Sequence, residues 1–273
     1  MSSARPIERK KSARSGIIRT FMQIRPGIEV ASLSDVGCQR ENNEDRYLYW
    51  EPDSDEEFER KGRLAMVADG MGGHEGGQEA SRIAVETVAE VYGQAPDGTA
   101  QELLLAAFKA AHERILEHAR QHPALHGMGT TATAIALVGD RLYYAHVGDS
   151  RLYLVRGETI SRLTHDHSYV GRLVENGILS LQEAEAHPQR HILTAALGAG
   201  EEIAPDVPEN SIFLESGDVI LLCTDGLWGV LTEAELQDAV AGAEPSAACR
   251  SLIEMAKERG GPDNITVQVL RLS

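Results

Sequence analysis

Thr131-Ala-Thr-Ala-Ile-Ala-Leu-Val138, Arg141-Leu-Tyr-Tyr-Ala-His-Val147 and Ser150-Arg-Leu-Tyr-Leu-Val-Arg-Gly157 follow one another with only Gly139-Asp140 and Gly148-Asp149 between them. Such runs of β-branched, aromatic and aliphatic residues, broken by short Gly-Asp links, read as an antiparallel meander, because links this short cannot carry the crossover that parallel strands need. The β pattern extends over residues 130–163.

Upstream, Ile28–Leu33 and Tyr47–Trp50 read as strands flanking the polar segment Ser34–Arg46. Leu64–Ala68 is a further strand, and it runs into the glycine-rich turn Asp69–Gly77, where missing side chains let backbone approach something closely. Two helices should follow. Ala80, Ala84, Val88 and Val91 form the apolar stripe of one, and Leu104, Phe108, Ala111 and Ile115 that of the other. Downstream, residues 166–190 interrupt the sheet pattern with short helical signals, including a capping box from Ser180 to Glu183. Strands return at Ile192–Ala196, Ser211–Leu214 and Val219–Thr224. Thr232 and Glu235 form a second capping box, Ala248, Leu252 and Met255 stripe a later helix, and Ile265, Val267 and Val269 alternate with Thr266 and Gln268. Strand blocks separated by helix pairs, without regular βαβ units, predict an α+β layered fold with largely antiparallel sheets. No internal repeat divides it, so residues 28–273 read as one domain and residues 1–27 as a flexible basic tail.

At 273 residues with 42% apolar content, the chain can bury a core. The net charge is −16, yet residues 1–25 hold seven Arg or Lys against Glu8, so the remainder is more acidic still. A body of that sign repels phosphate backbones and excludes a nucleic-acid-binding core, although the tail could meet an acidic partner or an anionic membrane surface. The acidic run Glu51–Glu59 reads as an exposed loop with no catalytic role. Cys38, Cys223 and Cys249 form no CxxC pair, which argues against a disulfide framework or a thiolate zinc site and fits a reducing cytoplasm. No apolar run approaches the roughly 18 to 20 residues that span a bilayer. A soluble, cytoplasmic monomer is expected.

The chemistry lies in carboxylates. Glu44, Asp45, Asp69, Asp149, Asp225 and Asp263 stand where apolar segments begin or end. Buried carboxylates are costly unless something positive meets them, so a group of this kind points to hard divalent cations. Any one Asp-Gly pair is most often a plain turn. The pattern as a whole carries more.

Arg40-Glu-Asn-Asn-Glu-Asp45, Asp69-Gly-Met-Gly-Gly-His74, Gly129-Thr-Thr131, Gly148-Asp-Ser-Arg151, Asp225-Gly-Leu-Trp228 and Gly261-Pro-Asp-Asn264 resemble, in this order, the motifs of the bacterial metal-dependent type 2C serine/threonine protein phosphatases. The resemblance covers roughly residues 30–273. It implies a four-layer αββα sandwich, two central antiparallel sheets flanked by helix pairs, with two Mn²⁺ or Mg²⁺ ions at one end of the sheets. By that resemblance Asp69 bridges both ions, the Gly70 carbonyl binds one of them and Asp225 and Asp263 bind the other. Glu44 and Asp45 hold metal-bound waters, with Asp45 near the attacking one, and Asp149 helps bind a third, weaker ion or else caps a turn. Substrates would be phosphoserine and phosphothreonine proteins, opposite a cognate kinase. Sparse Asp ligation suits Mg²⁺ and Mn²⁺, which keep several waters. Arg40 is the natural phosphate anchor, since a planar guanidinium grips two oxygens at once.

Where eukaryotic relatives place a histidine directly after the DG pair, this chain has Met71, so the general acid is left to water or to His74. His74 is expected on the substrate side, with a structural hydrogen bond as the alternative. Residues 166–190 match the family's mobile flap, and His165, His167, His187 and His191 are assigned to that region rather than to a zinc site. Thr130 and Thr131 read as strand-start packing, and Arg151 as structural. A catalytically silent relative would lack some of Asp69, Asp225 and Asp263, and a binuclear phosphodiesterase would be richer in histidine. Neither fits.

Overall fold

The computed structural model describes residues 25–72, 74–185 and 187–273, without the side chains of His74, Leu181 and Glu185. From the N-terminus come β1 (Ile28–Asp35), β2 (Arg46–Trp50), the short helix α1 (Asp55–Lys61), β3 (Arg63–Ala68) and β4 (Gly70–Met71). The long helices α2 (His74–Gln94) and α3 (Ala100–Gln121) lead to β5 (Gly129–Thr130), β6 (Ala132–Val138), β7 (Arg141–Val147), β8 (Arg151–Arg156) and β9 (Thr159–Arg162). After α4 (Tyr169–Glu175) and α5 (Leu181–Glu185), the chain closes with β10 (Ile212–Phe213), β11 (Val219–Cys223), α6 (Asp225–Trp228), α7 (Glu233–Val240), α8 (Pro245–Glu258) and β12 (Ile265–Leu272).

Among the described residues there are two five-stranded sheets, ordered β1-β12-β11-β8-β9 and β10-β7-β6-β3-β2, and a small β4-β5 pair. Three apolar layers hold them. Leu64, Met66 and Ala68 of β3 face α2 and α3, whereas Ala65 and Val67 face the opposite sheet. On the far side, Ile265, Val267 and Val269 of β12 pack against α7 and α8. Strands buried on both faces read as continuous apolar runs, as Arg63–Ala68 and Val219–Cys223 do. The architecture is the expected αββα sandwich.

Two local readings change. The three runs of the opening stretch are not one meander: β6 pairs with β7, but β8 pairs with β9 and β11 in the other sheet. Gly148-Asp149 therefore carries the chain between sheets. Gly148 takes φ 106°, and a Cβ there would lie 2.6 Å from the Thr131 side chain, so the crossing needs glycine. Within Glu51–Glu59, read as a loop, the acids instead open helix α1. Ser54 accepts the Glu57 N–H as N-cap, acids fill the first turn and Arg60 and Lys61 the last, which complements the helix dipole.

The strand expected at Ile192–Ala196 is absent. Isolated bridges Ser168↔Leu193 and Thr130↔Leu197 tether it instead, at the rim of a cleft. Both capping boxes form: Ser180 with Glu183 and Thr232 with Glu235. Residues 1–24 of the expected tail lie outside the described residues. No described helix is long and apolar enough to cross a membrane.

Candidate active site

Strand register brings the carboxylates to one end of the sandwich. Arg46 pairs with Ala68, so Asp45, just before β2, and Asp69, just after β3, leave the sheet together. In the other sheet Cys223 lies between Val267 and Arg151, which places Asp225, Asp263 and Asp149 at the equivalent end. The result is a cleft of about 660 Å³ lined by Arg40, Glu44, Asp69, Gly70, Asp149, Asp225 and Asp263, among others.

Asp69 is held by its backbone. Its N–H donates to Thr131 Oγ1 at 3.0 Å, and its carbonyl accepts from the Thr131 N–H at 2.9 Å and Thr130 Oγ1 at 2.8 Å. Thr131 Oγ1 in turn lies 2.7 Å from Ser150 Oγ. The threonines thus do more than the packing expected of them: they aim the central carboxylate. The Gly-Thr-Thr motif was their only trace in the sequence.

Asn264 does the same for the Arg40–Asp45 loop. Its Oδ1 accepts the Glu44 N–H at 2.8 Å, and its Nδ2 donates to the carbonyls of Val36 and Asn42. The Glu44 carbonyl accepts from Ser81 Oγ at 2.6 Å. Gly70 and Gly77 let these segments meet: a Cβ on Gly70 would fall 2.1 Å from the Gly77 carbonyl oxygen, and one on Gly77 would fall 1.9 Å from Glu44 Oε2.

Asp45 lies behind the cleft wall, 2% exposed, where Thr224 Oγ1 donates to its Oδ2 at 2.8 Å. Burial, with Asp225 and Asp263 nearby, pushes its carboxyl up to about 7, against the pull of the Thr266 and Thr224 hydroxyls. Burial and the surrounding carboxylates also raise Asp69, Asp149 and Asp225. Arg40 is committed to one partner: Nη2 donates to Asp263 Oδ2 at 2.7 Å. From the flap end, Arg190, His191 and Leu193 also line the cleft, which no local signal announced. Met71 lines it too, and the His74 side chain lies outside the described residues.

The donor set fits hard cations. Oδ1 of Asp45 and Oδ1 of Asp225 are buried without a hydrogen-bond partner, and the candidate donors beside them in the cleft are mainly carboxylate oxygens, with His191 at the rim. Among the described residues no three such side chains close tightly around one point. An open oxygen set of this kind suits ions that keep much of their water shell.

A four-layer αββα sandwich with an acidic cleft across one end of its sheets is the architecture of metal-dependent phosphatases. The protein phosphatase 2C family profile matches residues 39–255. The protein phosphatase PhpP of Streptococcus pneumoniae is 37% identical over 250 residues, 90% of this chain and 98% of that protein. The crystal structure of the Mycobacterium tuberculosis serine/threonine phosphatase PstP/Ppp superposes with a TM-score of 0.80 at 36% identity, covering 90% of this chain and 99% of that one. A PstP catalytic domain solved in complex with two manganese ions gives 0.77 at 34% identity, covering 90% and 98%. The chain belongs to the protein phosphatase 2C family, and it is a metal-dependent protein serine/threonine phosphatase.

Proposed function

We propose that the cleft hydrolyses phosphoserine and phosphothreonine in proteins at a binuclear Mn²⁺ or Mg²⁺ centre, opposing a serine/threonine kinase in the cytoplasm as a monomer. The observation that carries this reading is the convergence of Asp69, Asp149, Asp225 and Asp263 on one cleft, where burial and neighbouring carboxylates raise the acid groups of Asp69, Asp149 and Asp225. Asp69, the Gly70 carbonyl, Asp225 and Asp263 would hold the two cations, Glu44 would order water beside them, and Asp149 would serve a third, weaker ion. When bound, such ions supply an acidified water and neutralise the phosphoryl oxygens.

The chain's own groups do the rest. Asp45, fixed by Thr224, would act on the attacking water from behind the cleft wall, its buried Oδ1 having no hydrogen-bond partner within the protein. Arg40 holds the phosphate and keeps Asp263 in place. Met71 has no proton to give, so the leaving alkoxide is protonated by water or by His74. The flap, residues 166–190, contacts the phosphoprotein. Hydrolysis of a phosphopeptide should require added Mn²⁺ or Mg²⁺ and stop on chelation, and bis-aryl phosphodiesters should be poor substrates. Full activity in excess EDTA would refute the cation centre. A phosphoproteome unchanged on deleting the gene would refute the opposition to a kinase.

A further inference from the structure

Beneath the flap lies a second cavity of about 320 Å³, walled by α4 and α5 above and by β8, β9 and α6 below. Its apolar surface comes from Val170 and Val174 of α4, Ala184 of α5 and the Trp228 ring. The volume is about twice the ~150 Å³ that accepts benzene in a protein interior. Its charge is the reverse of the molecule's. In a chain of net charge −16, three guanidinium groups, Arg151, Arg162 and Arg190, border this cavity against two carboxylates, Asp166 and Glu175.

Asp166 is already shared. Arg151 grips it through Nε at 3.0 Å and Nη2 at 2.7 Å, and Arg162 Nη1 stands 3.7 Å from the same carboxylate. One acid cannot neutralise both arginines, so the wall keeps positive charge beside an apolar floor. The floor also touches the catalytic end. Arg151 stacks over the Trp228 ring at 3.5 Å, the Trp228 Nε1–H donates to the Asp149 carbonyl at 2.9 Å, and Arg190 borders both this cavity and the cleft.

We propose that this cavity is a second ligand site, distinct from the phosphate-hydrolysing cleft, for a small flat apolar anion of the aromatic carboxylate class. The ring lies against Trp228 between Val174 and Ala184, and the carboxylate meets Arg162. A filled cavity loads the indole that holds the Asp149 carbonyl, so occupancy alters turnover without competing for the phosphate. The inference stands on the cavity and needs no reading of the cations.

The test is a titration of ¹⁵N-labelled full-length protein in Mg²⁺ with benzoate, and with benzyl alcohol as the uncharged counterpart. The chain has two tryptophans, so two indole N–H signals report, assigned by Trp50→Phe. Benzoate should move the Trp228 signal along a saturable curve and leave that of Trp50 in place, while benzyl alcohol should bind at least tenfold more weakly. Arg162→Gln should weaken benzoate at least fivefold, and Ala184→Phe, which fills the cavity, should abolish the shift. Should Ala184→Phe fail to fold, Arg162→Gln still decides. An unsaturable shift, equal affinity for the alcohol, or binding untouched by Arg162→Gln would overturn the proposal. Displacement of benzoate by a phosphopeptide would also overturn it, by making the cavity part of the substrate's path.

Discussion

Arg40 and Asp263 are bonded to each other, Nη2 to Oδ2 at 2.7 Å, although they stand 223 residues apart and were expected in different roles. The guanidinium is half-exposed and faces the cleft, so the bond leaves donors free for a phosphate. Arg40→Ala should raise KM more than it lowers kcat, with about a 10- to 100-fold loss of kcat/KM for a charge-assisted contact worth ~1.5–3 kcal/mol. Steady-state kinetics on a phosphopeptide checks this. A collapsed kcat at unchanged KM would move Arg40 into transition-state stabilisation.

Thr131 supplies a prediction that a purely packing role would not. Thr131→Val keeps the shape but removes the acceptor of the Asp69 N–H, leaving a buried donor unmet at a cost of about 1–3 kcal/mol. We expect a lower melting temperature together with at least a tenfold fall in kcat, and recovery of both in Thr131→Ser. Loss of stability with full kcat would mean that Asp69 is aimed by something else.

The chelated protein should be acid-stabilised. The Asp45 carboxyl, ordinarily near 3.8, is raised to about 7 by burial first and neighbouring carboxylates second, so the folded state holds a proton that the unfolded chain releases. Stability is then full below about 4 and is lost as pH rises towards 7. In EDTA the melting temperature should drop by roughly 5–10 °C between pH 5 and pH 8, and added Mg²⁺ should restore it. A flat profile in EDTA would contradict the crowding of acids described above. Asp69→Asn should raise the EDTA melting temperature at pH 8 while reducing activity more than tenfold.

Gly70→Ala and Gly77→Ala test the close approach of two backbone segments beside the cleft. At Gly70 the new methyl would strike the Gly77 carbonyl, a backbone atom that cannot yield, so an insoluble or strongly destabilised protein is expected. At Gly77 the methyl would meet the end of the Glu44 side chain, which can swing aside, and also the Gly70 carbonyl at 2.8 Å, which cannot. Gly77→Ala should therefore lower the melting temperature as well as activity, and a Gly77→Ala protein of unchanged stability would show that the two segments are not held this close.

The N-terminal boundary can be measured by truncation. The Arg25 N–H donates to Glu51, and Arg63 Nη2 donates to the carbonyls of Arg25 and Pro26 at 3.1 and 2.8 Å. Removing residues 1–24 should leave phosphopeptide kinetics within about twofold, under ~0.5 kcal/mol. Removing 1–26 strips two of the three hydrogen-bond partners of Arg63, leaving Glu51 on Nε, and because Arg63 is 9% exposed the loss should cost about 1–3 kcal/mol in urea denaturation. Equal stability of the two truncations would push the boundary further in.

What was legible in the chain alone is what nearest neighbours along it decide. The stripes of α2 and α3, the Thr232–Glu235 capping box and the strands ending at Asp69 and Asp225 depend on residues within about four positions, so their signals are local. The order of motifs added the family, and with it the acidic cleft. The tertiary structure decided whatever depends on which surface a segment meets. Gly148-Asp149 has the composition of a hairpin turn, yet it crosses between sheets, because β8 finds a partner on both edges in the second sheet, in β9 and β11. The helix in Glu51–Glu59 did have a local signal, the Ser54 cap on Glu57 with acids before and bases after, and Lys61 at its end is then anchored on the Gly93 carbonyl in the last turn of α2. Asp45 sits behind the cleft rather than in it, and Arg190 and His191 reach it from the flap. The sheet crossing at Gly148-Asp149 and the burial of Asp45 have no sequence signature, since each is set by packing against residues tens to hundreds of positions away, where local pattern carries no information.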